Sequence, residues 1–350
     1  MKPIVHLYTV CWDEADMLGF FFRHYDPWVD RYVIYDDGST DGSLEILHAH
    51  PKVEVRTFDR IHSDSFVLSH TAMQDEAWKE SRNQADWVVV TAIDEHLWIA
   101  DRSITDYLAE QKSQGVTLIP ALGFDMIDPV MPANEGLLVD RMTRGRPSVF
   151  FNKLSIFDPN ALKETGFAVG RHTARPTGHI RLPSRDEVML WHYKRLGFER
   201  TATREKAQAE RLGALDVKNS WGSHYFWTRE EFSSKWAEID RQSTNLDAPD
   251  FEPERVCAGP LWWNDYPVAL RVPSRLSVKD SSDAIKARNR FQDTLIEYLV
   301  RQIANLASAI ALREEVPASS TWRLIKILRA LKTTLVKFRK APASRHPESG

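Results

Sequence analysis

The sequence predicts an α/β protein: a mostly parallel sheet flanked by helices, with a helical and aromatic-rich extension toward the carboxyl end. Three observations predict it. Through the first hundred residues short apolar runs alternate with amphipathic ones, the order that parallel strands and crossover helices require. The run Tyr32-Val33-Ile34-Tyr35-Asp36-Asp37-Gly38-Ser39-Thr40-Asp41-Gly42 drives an apolar segment into an acidic, glycine-bearing loop, and such loops at strand carboxyl ends are where open α/β sheets bind ligands. With 350 residues, 43% hydrophobic and 11% aromatic, the chain can also bury a sizeable core.

Taken in order, Ile4 to Val10 alternates as a first strand. Asp16 to Tyr25 then sets Met17, Leu18, Phe21, Phe22 and Tyr25 on one helical stripe. Arg31 to Tyr35 is the second strand, and Ser43 is placed to cap a short helix carrying Leu44, Ile46 and Leu47. Val53 to Phe58 is the third strand, and Leu68 to Gln84 is helical in composition. Asp86 to Ile93 is the fourth, almost continuously apolar as a strand covered on both faces should be, and it ends in Asp94-Glu95-His96. Val116 to Ala121 and Val149 to Phe157 read as further strands, separated by a long Pro- and Gly-bearing loop from Gly123 to Pro147. Loops of that length inside a compact domain are usually functional or mobile. Val188 to Tyr193 is the last core strand, and a helix with charged faces follows from Glu199 to Leu212.

From Asn219 to Tyr266 tryptophan is frequent and regular period is weak. Ser282 to Glu315 is a helical run, and Trp322 to Lys340 is an amphipathic helix whose Leu324, Ile327, Leu328, Leu331, Leu335 and Phe338 share one arc opposite its basic residues. The expected organisation is therefore 1–215, a ligand-binding α/β domain; 216–316, an extension; and 317–350, a basic helix and tail. From Pro317 onward eight basic residues stand against one acid, which leaves 38 basic and 48 acidic residues, or −10, in the body. A basic amphipathic helix suits an anionic membrane surface, and docking on a partner is the alternative.

Two cysteines without paired spacing give neither a disulfide framework nor a zinc knuckle. The amino terminus enters a strand pattern at once, so no signal peptide is expected, and no apolar window reaches the length of a spanning helix. The expected location is cytoplasmic, peripheral on the inner face of the membrane if the basic helix binds lipid. No nucleic-acid partner is expected.

Two acidic loops end two strands, Asp36-Asp37 after the second and Asp94-Glu95 after the fourth, and His192 in Trp191-His192-Tyr193-Lys194 ends the last. One carboxylate pair can hydrogen-bond a base or ribose, and the other can hold a hard divalent cation on a diphosphate. With Trp12-Asp13-Glu14 these segments make residues 4 to 210 resemble the family 2-like glycosyltransferases of GT-A fold. The resemblance implies a Rossmann-like nucleotide-sugar site, with the nucleotide met by Asp36, Asp37, Ser39, Asp13 and Glu14, the diphosphate by Lys194, and Mn²⁺ or Mg²⁺ by Asp94, His192 and His172. It implies an inverting transfer from a nucleotide sugar, a UDP-sugar being expected, to a glycan or lipid-linked acceptor hydroxyl. Asp186, Glu187 and Asp125 are the candidate catalytic bases, and Lys153 and Arg171 are further candidates to meet phosphate. The relatives' Asp-x-Asp-Glu-Phe reads Ala92-Ile93-Asp94-Glu95-His96 here, one carboxylate short. That departure keeps a second reading open, a catalytically inactive nucleotide- or glycan-binding protein of the same fold. A nucleotidyltransferase is disfavoured because no glycine- and basic-rich phosphate loop stands near the amino terminus.

Overall fold

The computed structural model describes residues 2–100, 102–248 and 251–273. Met1–Ser274 forms one compact unit. The expected helices at 282–315 and 322–340 lie outside the described residues.

The strands are β1 (Val5–Cys11), β2 (Arg31–Asp36), β3 (Val53–Thr57), β4 (Trp87–Val90), β5 (Glu95–Trp98), β6 (Leu118–Asp128), β7 (Arg144–Pro147), β8 (Lys153–Phe157), β9 (Leu162–Glu164), β10 (Thr177–Gly178), β11 (Met189–Leu196) and β12 (Thr244–Asn245). The helices are α1 (Ala15–Tyr25), α2 (Ser43–Ala49), α3 (Phe66–Glu76), α4 (Ile104–Ser113), α5 (Leu138–Arg141), α6 (Phe198–Glu210), α7 (Ala214–Lys218), α8 (Arg229–Gln242) and α9 (Pro253–Val256). The main sheet runs β12-β7-β6-β8-β4-β1-β2-β3, with β11 bridging β6 and β5. Its β3-β2-β1-β4 half is parallel, which is the Rossmann-like arrangement the alternating sequence predicts. Beyond β4 the pairing turns antiparallel through β8, β6 and β7, while β11 lies parallel to β6.

The apolar pattern explains the centre. All of β4 is buried, as are Val5, Leu7 and Tyr8 of β1 and Val33 and Ile34 of β2. Helix α1 closes one face with Met17, Leu18, Phe21, Phe22 and Tyr25.

Three segments differ from expectation. The fourth strand stops at Val90, because Glu95 folds back so that its carboxylate accepts from the Thr91 hydroxyl and, at 3.0 Å, from the Ala92 N–H. Glu95 and His96 thereby start a new strand that pairs antiparallel with β11. The loop expected at 123–147 is strand at both ends, with the short helix α5 and irregular chain between them. β6 continues to Asp128 with Leu122, Phe124 and Met126 buried, and Asp125 between them is neutralised by arginine. The stretch after 219 contains α8, opened by a capping box in which Thr228 and Glu231 exchange hydrogen bonds. Phe232, Trp236 and Ile239 of α8 pack with Ile127 in a second, smaller apolar cluster.

Gly123 sits where β6 changes partner from β8 to β11, and a Cβ there would collide with the backbone carbonyl of Phe151. That close approach brings the Phe151 ring edge-on to His192, 4.3 Å between centroids. We expect Gly123→Ala to destabilise the fold by about 1–3 kcal/mol through overpacking, read as a lower urea midpoint at unchanged slope; an unchanged midpoint would show that the hairpin yields freely.

Candidate functional site

The parallel register puts Cys11, at the end of β1, beside Asp36, at the end of β2. The two loops that follow are stitched together. Ser39 Oγ accepts the Asp13 N–H at 3.0 Å, Asp13 Oδ1 accepts the Thr40 N–H at 2.6 Å, Asp41 Oδ2 accepts the Ala15 N–H at 2.9 Å, and Ser43 Oγ accepts the Glu14 N–H at 2.8 Å. Asp36 turns inward and accepts from Gly38 N and Ser39 N. Gly38 has φ +77°, the left-handed backbone that lets the chain reverse there. Of the five residues expected to meet a nucleotide, Asp13, Asp36 and Ser39 thus spend side-chain groups on loop geometry, and Asp37 and Glu14 face other partners.

Those partners are arginines. Arg200 pairs with Asp16, Arg204 with Glu14 and the Asp13 carbonyl, and Arg211 with Asp37. Positions 200, 204 and 211 are spaced four and seven apart, near whole helical turns, so one face of α6 and its C-cap carries all three. Arg211 also lies 3.7 Å from the Trp12 ring centre, and Arg60 holds Asp37 from the other side at 2.9 Å. The "charged faces" expected of this helix are therefore an arginine face docked on the acidic rim. Glu14 is buried, its Oε2 has no hydrogen-bond partner, and burial pushes its carboxyl up to about 8, with Arg204 pulling down and Asp94 pushing up.

The second acidic loop meets β11 at the crevice floor. Tyr193 N–H donates to the Asp94 carbonyl at 2.7 Å, and His192 Nε2 lies 3.2 Å from Asp94 Oδ1. Burial opposes the Asp94 charge, but His192 and Arg204 outweigh it and hold this carboxyl well below the usual range. His192 Nδ1 is buried without a partner. Glu95, the next residue, points the other way. It binds Lys153 Nζ at 2.5 Å and the Arg171 guanidinium, and Arg171 also donates to the Val90 carbonyl at 2.5 Å. Lys153 and Arg171, expected as phosphate contacts, are buried in this cluster and do not reach the crevice. Burial disfavours the Glu95 charge, yet the two cations hold its carboxyl well below the usual 4.5. His96 packs in the core, 4.5 Å ring to ring on His24, and burial keeps it neutral.

The expected bases are occupied elsewhere. Asp125 pairs with Arg195 at 2.5 Å, with Arg146 at 3.7 Å. Both Asp186 oxygens are bound, by Arg271 at 2.9 Å and by the Trp263 indole N–H at 2.9 Å, so this acid anchors the chain's 263–271 segment to the sheet. Glu187 pairs with Arg102 at 2.8 Å. His172 donates its Nδ1–H to the Phe150 carbonyl at 2.5 Å, and burial pushes it down to about 4. Lys194 donates to His224 Nε2 at 2.7 Å and stands 3.1 Å from Glu205 Oε1. Nothing in the sequence pattern marked Arg204, Arg211 or Glu205 except the dense charge of 199–212, and nothing marked His224, because their partners lie up to 191 residues away.

Among the described residues no three His, Cys, Asp or Glu side chains converge as a metal cage. Asp94 and His192 are a pair, and His172 does not join them. Two neighbouring N and O donors fit only a cation that keeps most of its ligands as water or phosphate oxygen, which is the habit of Mg²⁺ and Mn²⁺.

The fold and this crevice define a Rossmann-like α/β protein with an acidic rim at the carboxyl ends of its parallel strands and an Asp–His pair formed by Asp94, beyond the end of β4, and His192, midway along β11 rather than at its end as expected. No family model matches the chain, and no curated protein matches it. Among solved structures it is similar to a crystal structure of 4-diphosphocytidyl-2C-methyl-D-erythritol synthase, at 13% identity and a TM-score of 0.25, over 46% of this chain and 77% of that one. A likeness that slight carries no argument.

Removing Glu95 leaves two buried cations unpaired, so Glu95→Ala should cost about 3–5 kcal/mol, measured by chemical denaturation. Because its folded value is depressed, its contribution is complete above pH 4.5 and is lost as pH falls below that; a mutant and a parent with parallel acid-denaturation curves would contradict this. Glu14 has the opposite sign. Raised from 4.5 to about 8, it takes up a proton on folding, so stability should decline as pH rises from 4.5 to 8. A carboxyl ¹³C resonance titrating near pH 8, missing in Glu14→Gln, is the expected signature.

Proposed function

We propose that the chain is a nucleotide-sugar-dependent glycosyltransferase of GT-A type. The observation that carries this reading is the placement of the stitched Asp13–Ser43 rim, with Trp12 and Asp37 on it, across a parallel-strand crevice from the Asp94–His192 pair. A base stacking near Trp12 with its ribose on Asp37 would take over the contacts now made by Arg211. The diphosphate would then reach toward Asp94 and His192, with Lys194 and Arg204 at hand to balance its charge. Bound there, a divalent cation would supply charge neutralisation of the departing nucleoside diphosphate. Glu14, protonated below about pH 8, would offer that diphosphate an O–H and no charge. In the transfer the anomeric C–O bond to the diphosphate breaks while the acceptor oxygen bonds the same carbon. The acceptor proton would pass to a carboxylate base; the expected ones, Asp125, Asp186 and Glu187, are each paired with arginine and would have to give up that partner first. A UDP-sugar donor and a glycan or lipid-linked acceptor complete the proposal.

A second reading, a binding protein of this fold without turnover, is favoured by one observation: Ala92 stands where the resembled family carries a carboxylate, so two protein donors remain for a metal.

Titrating UDP, GDP and CDP with and without Mn²⁺ while following thermal unfolding tests both. The transferase reading expects a rise in melting temperature with one of them, larger with Mn²⁺, whose metal-dependent part is lost in Asp94→Ala. It also expects donor hydrolysis or transfer that falls on the order of a hundredfold in that variant, as loss of one preorganised charge does. Stabilisation without any turnover would support the binding protein, and no shift with any nucleotide would sink both.

A further inference from the structure

Beside the crevice, α6 and the 223–232 segment enclose a cleft of about 590 Å³ that none of Asp37, Asp94 and His192 lines. Its walls are aromatic: His224, Tyr225, Phe226, Trp227 and Phe232. Phe226 is 54% exposed, which leaves its ring face open to a ligand. Into the same cleft comes Glu205, only 4% exposed, with neither carboxylate oxygen hydrogen-bonded. Lys194 Nζ, 3.1 Å from Oε1, lies close enough to balance its charge but off the angle of a hydrogen bond. A buried carboxylate without hydrogen bonds is costly unless something arrives to donate to it.

We propose that this cleft binds a neutral pyranose ring, with Glu205 accepting hydrogen bonds from its hydroxyls. The chemistry selects that class. Sugars present apolar C–H faces that pack on aromatic rings and vicinal hydroxyls that donate in pairs to a carboxylate, which has about four acceptor sites. The wall carries no excess of positive charge to select an anion, since Glu205 and Glu210 stand against Lys206 and Arg229. The cleft also adjoins the crevice through Lys194, which follows His192 by two residues on β11 and touches His224 and Glu205 of the cleft wall. That continuity makes the bound sugar the acceptor, an identification that rests on the transferase reading; the sugar binding itself does not.

The test uses the full chain, with saturation-transfer NMR against a panel of methyl pyranosides and short oligosaccharides of glucose, galactose, mannose and N-acetylglucosamine. At least one should bind, and its dissociation constant should rise about tenfold, equivalent to ~1.4 kcal/mol, in Glu205→Gln and in Phe226→Ala. Phe226 is exposed enough that its truncation leaves the fold intact, so that variant decides the matter if Glu205→Gln unfolds. UDP-dependent stabilisation is measured in parallel. Sugar binding lost in the variants without any UDP response would uphold the cleft and defeat the transferase reading. A UDP response with no sugar contact, or with sugar contact indifferent to both substitutions, would overturn the cleft.

Discussion

A single buried carboxylate organises the centre of this molecule. Glu95 lies among Lys153 at the start of β8 and Arg171, whose guanidinium also takes the last carbonyl of β4. Three charges taken out of water would be a heavy penalty if any were unpaired. Paired as they are, they force the chain to reverse after Val90, and they leave Asp94 as the residue at the turn, facing the crevice and His192. The direction of Asp94 is thus set by the demands of its neighbour.

The crevice rim obeys a similar logic. Hydrogen bonds between the 13–15 and 39–43 backbones fix one loop against the other, and the arginine face of α6 neutralises what would otherwise be an acidic cluster of Glu14, Asp16 and Asp37. Rigid loops bearing compensated charge make a preorganised surface, since little entropy remains to be lost when a ligand displaces one guanidinium. Arg204 has a further effect, because it lies close enough to hold both Glu14 and Asp94 toward their charged forms. Asp94 also has His192 beside it, whereas Glu14 has the Asp94 charge, and this leaves the two acids with opposite shifts, one depressed and one raised.

On its other face α6 walls the aromatic cleft. The same thirteen residues therefore separate a charged crevice from a sugar-sized hollow, and Glu205, one residue past Arg204, points away from the rim. Adjacent helical positions diverge by about 100°, which is how one helix serves both sides. Lys194 joins the two spaces by touching His224 and Glu205 from a strand whose His192 belongs to the crevice.

The sequence by itself determined the parallel half of the sheet and the place of the crevice. Period-two and period-3.6 apolar patterns are local, and the loops after β2 and β4 announce themselves by acids beside continuous apolar runs, the first with glycine as well. It also marked Asp94 and His192, which the fold brings to 3.2 Å. What it did not determine is which charges are spent inside. Asp125, Asp186, Lys153 and Arg171 look like available chemistry along the chain, yet each is bound to a partner from 58 to 85 residues away, while Glu14 and Glu205 keep free oxygens. Whether an ionisable group is free depends on burial and on distant partners, and both exist only once the chain has closed on itself.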